Sequence, residues 1–391
     1  MRLAYVSPMP PQRTGIAHYS AALLPYLAAE FAELDLYSDV AGSSPPWVLA
    51  GSLDSLVDRW SDYTFCLYHI GNSKAFHTSI YRMALEYPGV VVLHDFFLHH
   101  FIADLTLGEG DLPGYLREMA YAEGANGIER AYRAAEDWHT LPLFEIPLND
   151  RLLDVSLGVM VHSRYALNQA LERRPHLRTA YVPAPYGPET PDSLTRGELG
   201  LPEEAFIVTV AGMPNVAKRA DLVMRAVAAV AQEMPHLRCL LVGDLSAEPS
   251  LPDDPISQET VLSTGYVPSL SRFLAFLDAS DLIVNLRFPT VGEASALTLR
   301  ALALGKPIIV SDAGWYAELP NGSCLKLTHT GDSEADSRAL AGHIRNLVCD
   351  PEARASLGAA GQAYVKRAHD SRTVARAYRT TLDVWGAEIY G

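Results

Sequence analysis

The stretch Asn285-Leu-Arg-Phe-Pro-Thr-Val-Gly-Glu-Ala-Ser295, continued by Arg300-Ala-Leu-Ala-Leu-Gly-Lys-Pro-Ile-Ile-Val310, decides how the chain reads. A loop containing Gly and Thr stands at the start of a helix, and the chain then returns to a buried strand. A helix start presents unpaired backbone N–H groups and a partial positive charge, which suit a phosphate ester. Glu293, beside that start, is placed to hold sugar or ribose hydroxyls.

Outward from this stretch the same pattern repeats. Short apolar runs occur at 3–6, 34–37, 64–68, 90–93, 158–161 and 180–182, then at 206–210, 238–242, 261–264, 282–285, 307–310 and 324–327. They are β-branched and do not alternate with polar residues, as expected of strands covered on both faces. Helical patterns lie between most of them, so the fold class is α/β, with two parallel sheets of βαβ units. The Pro-rich stretch Val182-Pro-Ala-Pro-Tyr-Gly-Pro188 marks the divide between a domain at 1–188 and one at 189–370. Residues of about 105–150 read as a helical insertion. The tail of about 352–391 reads as helical, with Tyr364, Val374, Tyr378, Leu382 and Trp385 as its apolar points.

The totals set bounds. A chain of 391 residues exceeds one ordinary core. The net charge of −15 is spread evenly: 13 Lys+Arg against 21 Asp+Glu through residue 188 (−8), and 18 against 25 beyond it (−7). Neither half offers a basic face, so nucleic acid is not an expected partner. Cys66, Cys239, Cys324 and Cys349 lack metal-motif spacing, and a reduced, cytoplasmic setting is expected. The first residues read as a strand and not as a signal peptide, and no apolar run reaches the roughly 18 residues of a membrane helix.

Four strand ends carry candidate chemistry. Ser7-Pro-Met-Pro-Pro-Gln-Arg-Thr-Gly15 puts a glycine where a helix could face a diphosphate, without the Gly-x-Gly-x-x-Gly dinucleotide pattern. Val90-Val-Val-Leu-His-Asp95 ends a buried strand, where ligands gather in open parallel sheets. His94 is a candidate donor to a sugar hydroxyl, whereas His99 and His100 read as packing or capping residues. After 206–210 come Gly212, Lys218 and Arg219, and a cation there can neutralise a leaving diphosphate. Leu240-Leu-Val-Gly-Asp244 and Thr264-Gly-Tyr-Val267 read as ordinary turns.

Taken in order, Gly15-Ile-Ala-His-Tyr19, Leu93-His-Asp95, Val161-His-Ser-Arg-Tyr165, the segment 212–219 and the segment 285–319 resemble family-4 retaining glycosyltransferases of the GT-B fold. The resemblance covers about residues 1–320. It implies two Rossmann-like domains facing each other across a cleft, with a C-terminal helix (371–391) crossing back to pack on the first. It also implies a nucleotide-sugar donor in the second domain, an acceptor in the first, and no metal or other cofactor. His94, Lys218 and Glu293 would then be the catalytic set. Gly15, Asp95, Gly212, Arg219, Arg287, Thr290, Gly292, Ala294, Ser295 and Arg300 would be the substrate contacts. A glycan or lipid-linked acceptor is expected, the latter with peripheral membrane association. The chain departs from the family at three places. Gly292 and Arg300 occupy the positions of two glutamates, with Glu293 one step off. Met213 lies close to the place of a phosphate-binding arginine.

Transfer of this kind needs little protein chemistry. The departing phosphate can accept the acceptor's proton, and a cation with helix N-termini stabilises the developing anion. No carboxylate pair of the hydrolase type is evident. Three other readings of the residues remain: a non-catalytic nucleotide-sugar binder, a GT-B nucleotide-sugar epimerase, and a metal hydrolase on His94, Asp95 and His99.

Overall fold

Runs of Val, Ile and Leu become strands here because both faces of a parallel sheet are covered by helices. The computed structural model describes residues 1–39, 49–187, 189–212, 216–243 and 260–391, with the side chains of 49 and 50 excepted. The first sheet contains β1 (Arg2–Val6), β2 (Glu33–Tyr37), β3 (Leu49–Gly51), β4 (Phe65–Ile70), β5 (Val90–Leu93), β6 (Gly158–Val161) and β7 (Thr179–Tyr181). The second contains β8 (Phe206–Ala211), β9 (Leu237–Val242), β10 (Val261–Ser263), β11 (Leu282–Asn285), β12 (Ile308–Ser311) and β13 (Leu325–Leu327). Each run expected from the sequence is a strand. Among the described residues only β3 was not anticipated, a three-residue edge strand of Leu-Ala-Gly with no β-branched residue to signal it.

Strand order places the sites. The first sheet runs β3-β2-β1-β4-β5-β6-β7 and the second β10-β9-β8-β11-β12-β13. The pairs in both are parallel. Each order reverses once, between β1 and β4 and between β8 and β11. At such a reversal the loops leave the carboxyl ends in opposite directions and open a crevice. The second crevice is therefore flanked by the loop that follows β8 and by the one that follows β11.

The chain forms two compact units. One comprises Met1–Gly187, Val291–Ala294 and Asp370–Gly391, and the other Pro188–Thr290 and Ser295–His369. The short piece Val291–Ala294 thus departs from a divide by sequence position alone. Its Val291 carbonyl accepts a hydrogen bond from the Phe97 N–H at 2.9 Å. Between β5 and β6 the expected insertion contains helices His99–Leu105, Leu112–Glu136 and Asp150–Val155. The long one is broken at Gly124 (φ 60°, ψ −137°).

The tail is two helices. Asp350 and Asp370 each accept a backbone N–H at a helix start, so Pro351–Ala368 and Ser371–Tyr390 are separately capped. Tyr364 lies on the earlier helix and bonds His369, both in the second unit. On the last helix Val374, Ala375, Tyr378, Leu382 and Trp385 recur at helical spacing and are buried with Leu23, Leu24 and Leu27. Tyr378 and Tyr19 share a hydroxyl–hydroxyl hydrogen bond of 2.6 Å. Gly158 permits the closest approach, because a Cβ there would come within 2.6 Å of the Trp385 ring.

Gly158→Ala should therefore destabilise the protein by about 1–3 kcal/mol through overpacking. In a Trp385→Ala background the same change should cost close to nothing, since the ring it strikes is gone. Thermal melts of the four variants of that cycle check this. Equal losses in both backgrounds would contradict the contact.

Candidate phosphate site and histidine cluster

The β8 strand end is built around a buried cation. Gly212 follows the strand with φ +96°, a conformation that side chains disfavour. The short turn Val216–Lys218 then brings Lys218 back. Its side chain is buried, the residue being 5% exposed, and its Nζ donates to the Ala211 carbonyl at 3.0 Å. A Cβ on Gly212 would lie 2.7 Å from that Nζ, so the glycine leaves the space the ammonium uses. Gly243 passes equally close, a Cβ there falling 2.6 Å from the Gly212 carbonyl. Burying an ammonium is costly unless anionic or polar partners meet it, which makes this strand end a natural place for an anion.

Arg219 points elsewhere. It has a left-handed backbone (φ 52°), and its guanidinium donates to the Ser333 Oγ at 2.8 Å, tying the turn to the start of helix Ser333–Cys349.

The loop after β11 is fixed at both ends. Buried Asn285 donates to the Ser295 Oγ at 2.9 Å and to the Thr298 Oγ1 at 2.8 Å. Ser295 caps helix Ala296–Ala303 by accepting the Thr298 N–H. The Arg287 N–H donates to the Ser311 Oγ at 2.8 Å, and the Phe288 N–H to the Ala217 carbonyl at 2.8 Å. The second of these bonds joins the β11 loop directly to the Lys218 turn across the switch point. Thr290 lies against Gly314 (φ +53°), where a Cβ would come within 2.9 Å of the threonine methyl group. Gly212, Lys218, Arg287, Thr290 and Ser295 are thus gathered in the second unit on the loops after β8 and β11.

In the first unit the β5 end meets two other histidine-bearing elements. His69, on β4, and His162, just after β6, join His94. The His69 Nδ1 lies 3.0 Å from the His94 Nε2, and the His94 and His162 rings are 4.9 Å apart. The Tyr19 ring meets His94 edge-on at 4.6 Å. His162 donates its Nδ1–H to the Val182 carbonyl at 2.8 Å. Burial, reinforced by the other histidines, holds His69 and His94 well below the usual imidazole range, so both rings are neutral at neutral pH. Neutral imidazoles can each donate once and accept once, which suits an uncharged hydroxyl. The Asp95 carboxylate accepts the Asn72 N–H at 2.8 Å, beside Gly71. Gly15 starts helix Gly15–Glu30 in open space. Gly292 (φ +80°) abuts Phe96, and Glu293 folds its own loop by accepting the Val291 N–H at 3.0 Å. Ala294 shares this unit.

Two expectations meet specific geometry. Arg300 lies in the last turn of Ala296–Ala303, at the negative end of that helix and far along it from its phosphate-suited start. Both its arms engage Glu189, at 2.6 and 2.9 Å, so its charge is used in a structural pair. His99 donates from Nδ1 to the Ile146 carbonyl and accepts the Tyr115 hydroxyl at Nε2, each at 2.7 Å. It has no lone pair left for a cation, which removes it from a His94–Asp95–His99 metal site. Among the described residues no group of three His, Cys, Asp or Glu is placed to hold a metal ion. Met213 and Asp244 lie outside the described residues. His69 and His162 were not singled out, although a polar residue at the end of a buried strand was a usable signal.

Comparison with known proteins bears on the second unit most directly. Residues 204–350 match the family model described as glycosyl transferases group 1. A D-inositol 3-phosphate glycosyltransferase of Streptomyces coelicolor is 28% identical over 235 residues, covering 56% of this chain and 48% of its own length. One from Thermobispora bispora is 25% identical over 315 residues, covering 75% and 65%. The chain thus spans about half to two thirds of the length of these relatives. The fold matches that of Anabaena HepE in complex with UDP (TM-score 0.67, 14% identity, 98% of this chain and 100% of that one). It also matches WaaG, a glycosyltransferase of lipopolysaccharide biosynthesis (TM-score 0.58, 13% identity, 97% and 99%). Apart from Val291–Ala294, the matched segment lies in the second unit and contains the strand-end Lys218, and the chain has the two-sheet α/β architecture of GT-B glycosyltransferases.

Proposed function

We propose that the protein is a retaining, metal-independent family-4 glycosyltransferase that moves a sugar, of the hexosyl type, from a nucleotide-sugar donor to a hydroxyl acceptor. The observation that carries this reading is the Lys218 ammonium, buried at the β8 end beside side-chain-free Gly212, within the matched segment. In this reading the diphosphate lies at Lys218 and against the N–H groups of the β11 loop. The bond from the anomeric carbon to the phosphate oxygen breaks, and the acceptor oxygen attacks from the same face. The departing phosphate takes the acceptor's proton, so no protein base is required. Lys218 offsets the charge that develops on the leaving group. His94, held neutral among its neighbours, hydrogen-bonds a sugar hydroxyl, and Glu293 meets the sugar or ribose.

The acceptor is a glycan or a lipid-linked hydroxyl. Among the described residues no helix is long and apolar enough to cross a membrane, so a lipid-linked acceptor would be met at a surface. A reducing, cytoplasmic setting fits Cys66 and Cys239, whose thiols burial pushes up to about 12. One observation favours a second reading, a nucleotide-sugar binder without turnover. Arg300 stands where the family has a glutamate and is committed to Glu189.

A thermal-shift screen with UDP-, GDP-, ADP- and dTDP-sugars should give a selective rise with one base. Product should form with that donor in the presence of a chelator, with the donor's anomeric configuration kept. Affinity without product under every acceptor tested would favour the binder. Lys218→Ala should cut kcat by roughly 10²–10³-fold while the fold persists. Gly212→Ala, which pushes a methyl group into the ammonium's space, should weaken donor binding by about tenfold. His94→Ala should lower kcat/KM by about tenfold, the equivalent of one lost hydrogen bond. Near-normal transfer in Lys218→Ala would refute the phosphate assignment.

Acid should also destabilise the fold. His69, His77, His94 and His99 are held below their ordinary value, burial being the first cause; His77 and His99 are lowered to about 4. The unfolded chain therefore binds more protons as pH falls through about 6.5, and folded-state stability is lost in that direction. The Tm should fall between about pH 7 and about pH 5. A flat Tm over that range would contradict neutral, buried histidines.

A further inference from the structure

A second polar chain stands in the second unit and has no part in the reading above. Ser311 ends β12, His329 follows β13, and Asp336 lies in the first turn of helix Ser333–Cys349. The His329 Nε2 is 2.8 Å from the Ser311 Oγ, and its Nδ1 is 3.2 Å from the Asp336 Oδ2. Serine, histidine and aspartate at these spacings match the order of a nucleophilic triad. Burial excludes that use: Ser311 is 0% exposed, and the side chains of His329 and Asp336 are each 1% exposed. No substrate carbonyl can reach the serine oxygen.

What the chain does reach is the β11 loop. Burial pushes the Asp336 carboxyl up, but hydrogen bonds from Thr330 and His329 more than reverse this, so it is ionised. An ionised Asp336 accepts a hydrogen bond from the His329 Nδ1–H and leaves Nε2 as an acceptor. Burial first, and Arg219 nearby, keep His329 below the ordinary imidazole range against the pull of Asp336. The Ser311 hydroxyl then donates to Nε2, and its lone pair accepts the Arg287 N–H. On the face of the same imidazole the Phe288 ring is stacked at 4.4 Å and 12°. Consecutive residues of the loop are therefore fixed by one histidine, Arg287 through its backbone and Phe288 through its ring. The same helix start also anchors the Lys218 turn, since Arg219 donates to Ser333. Phe288 in turn donates to Ala217.

We infer that His329 is a positioning residue for the diphosphate subsite: with Asp336 fixing its tautomer, it sets the Arg287–Phe288 backbone through Ser311 and so holds the β11 loop in register with Lys218. This rests on the donor reading above and adds to it a residue that touches no substrate.

The test is calorimetric binding of UDP, GDP, ADP and dTDP to the full chain, followed by kcat and KM with the matching donor. For the tightest-binding nucleotide, Ser311→Ala should raise Kd about threefold to tenfold and His329→Ala about tenfold. His329→Gln, which keeps an acceptor for Ser311 and a donor for Asp336, should stay within about threefold of wild type. In the transfer assay the loss should appear mainly in KM for the donor. Leu347→Ala, a core change in the same unit, should lower the Tm as His329→Ala does and leave Kd unchanged. Wild-type affinity in both Ser311→Ala and His329→Ala overturns the inference and leaves the donor reading standing. So does equal weakening by Leu347→Ala, or failure of His329→Gln to recover binding. A wild-type protein that binds none of the four nucleotides overturns the donor reading and this inference with it.

Discussion

A buried ammonium constrains the second unit. Lys218 has little water around it, and its Nζ lies where a side chain on Gly212 would be. Several features of the surrounding chain follow from keeping it there. Gly212 and Gly243 must lack side chains, Arg219 must take a left-handed backbone, and the Ala211 carbonyl must face inward. Such an arrangement carries conformational strain of order 1–3 kcal/mol at each disfavoured residue, and strain of this kind persists where surrounding packing over-determines it. A diphosphate with its two or three charges is a partner of the right sign for that position, and the β8–β11 reversal opens a crevice beside it.

The two units treat charge in opposite ways. At the β8 end a cation is buried, a setting for an anion. At the β5 end burial keeps His69 and His94 neutral, and their neighbours are a tyrosine and a further histidine. That setting suits uncharged hydroxyls, whose recognition needs donors and acceptors in fixed places more than net charge. The overall charge of −15 does not predict either environment, because a few buried groups decide each.

Much of this was legible in the sequence, and the exceptions have physical causes. Apolar runs such as 90–93 and 282–285 gave strands with their observed limits, since double burial leaves a continuous hydrophobic signal. The last helix, expected over 371–391, runs Ser371–Tyr390, and the capping Asp370 marks its start. Lys218 could be singled out because a cation just beyond a strand and a glycine has a local signature. Ser311, His329 and Asp336 have none. Each comes from a separate element, and only the parallel order of the strands brings them together. Arg300 shows the opposite case: its sequence neighbourhood suggested phosphate, and helix direction together with Glu189 gave it another role. Val291–Ala294 could not be assigned by position, since its partners Phe96 and Phe97 lie about two hundred residues earlier in the chain.

The most direct measurement is a crystal structure of the protein grown with the nucleoside diphosphate that binds best. The diphosphate is expected at the carboxyl ends of β8 and β11, with the Lys218 Nζ within hydrogen-bond distance of a phosphate oxygen and Gly212 against the ligand. A nucleotide bound elsewhere, with no phosphate oxygen within hydrogen-bond distance of the Lys218 Nζ, would contradict that placement.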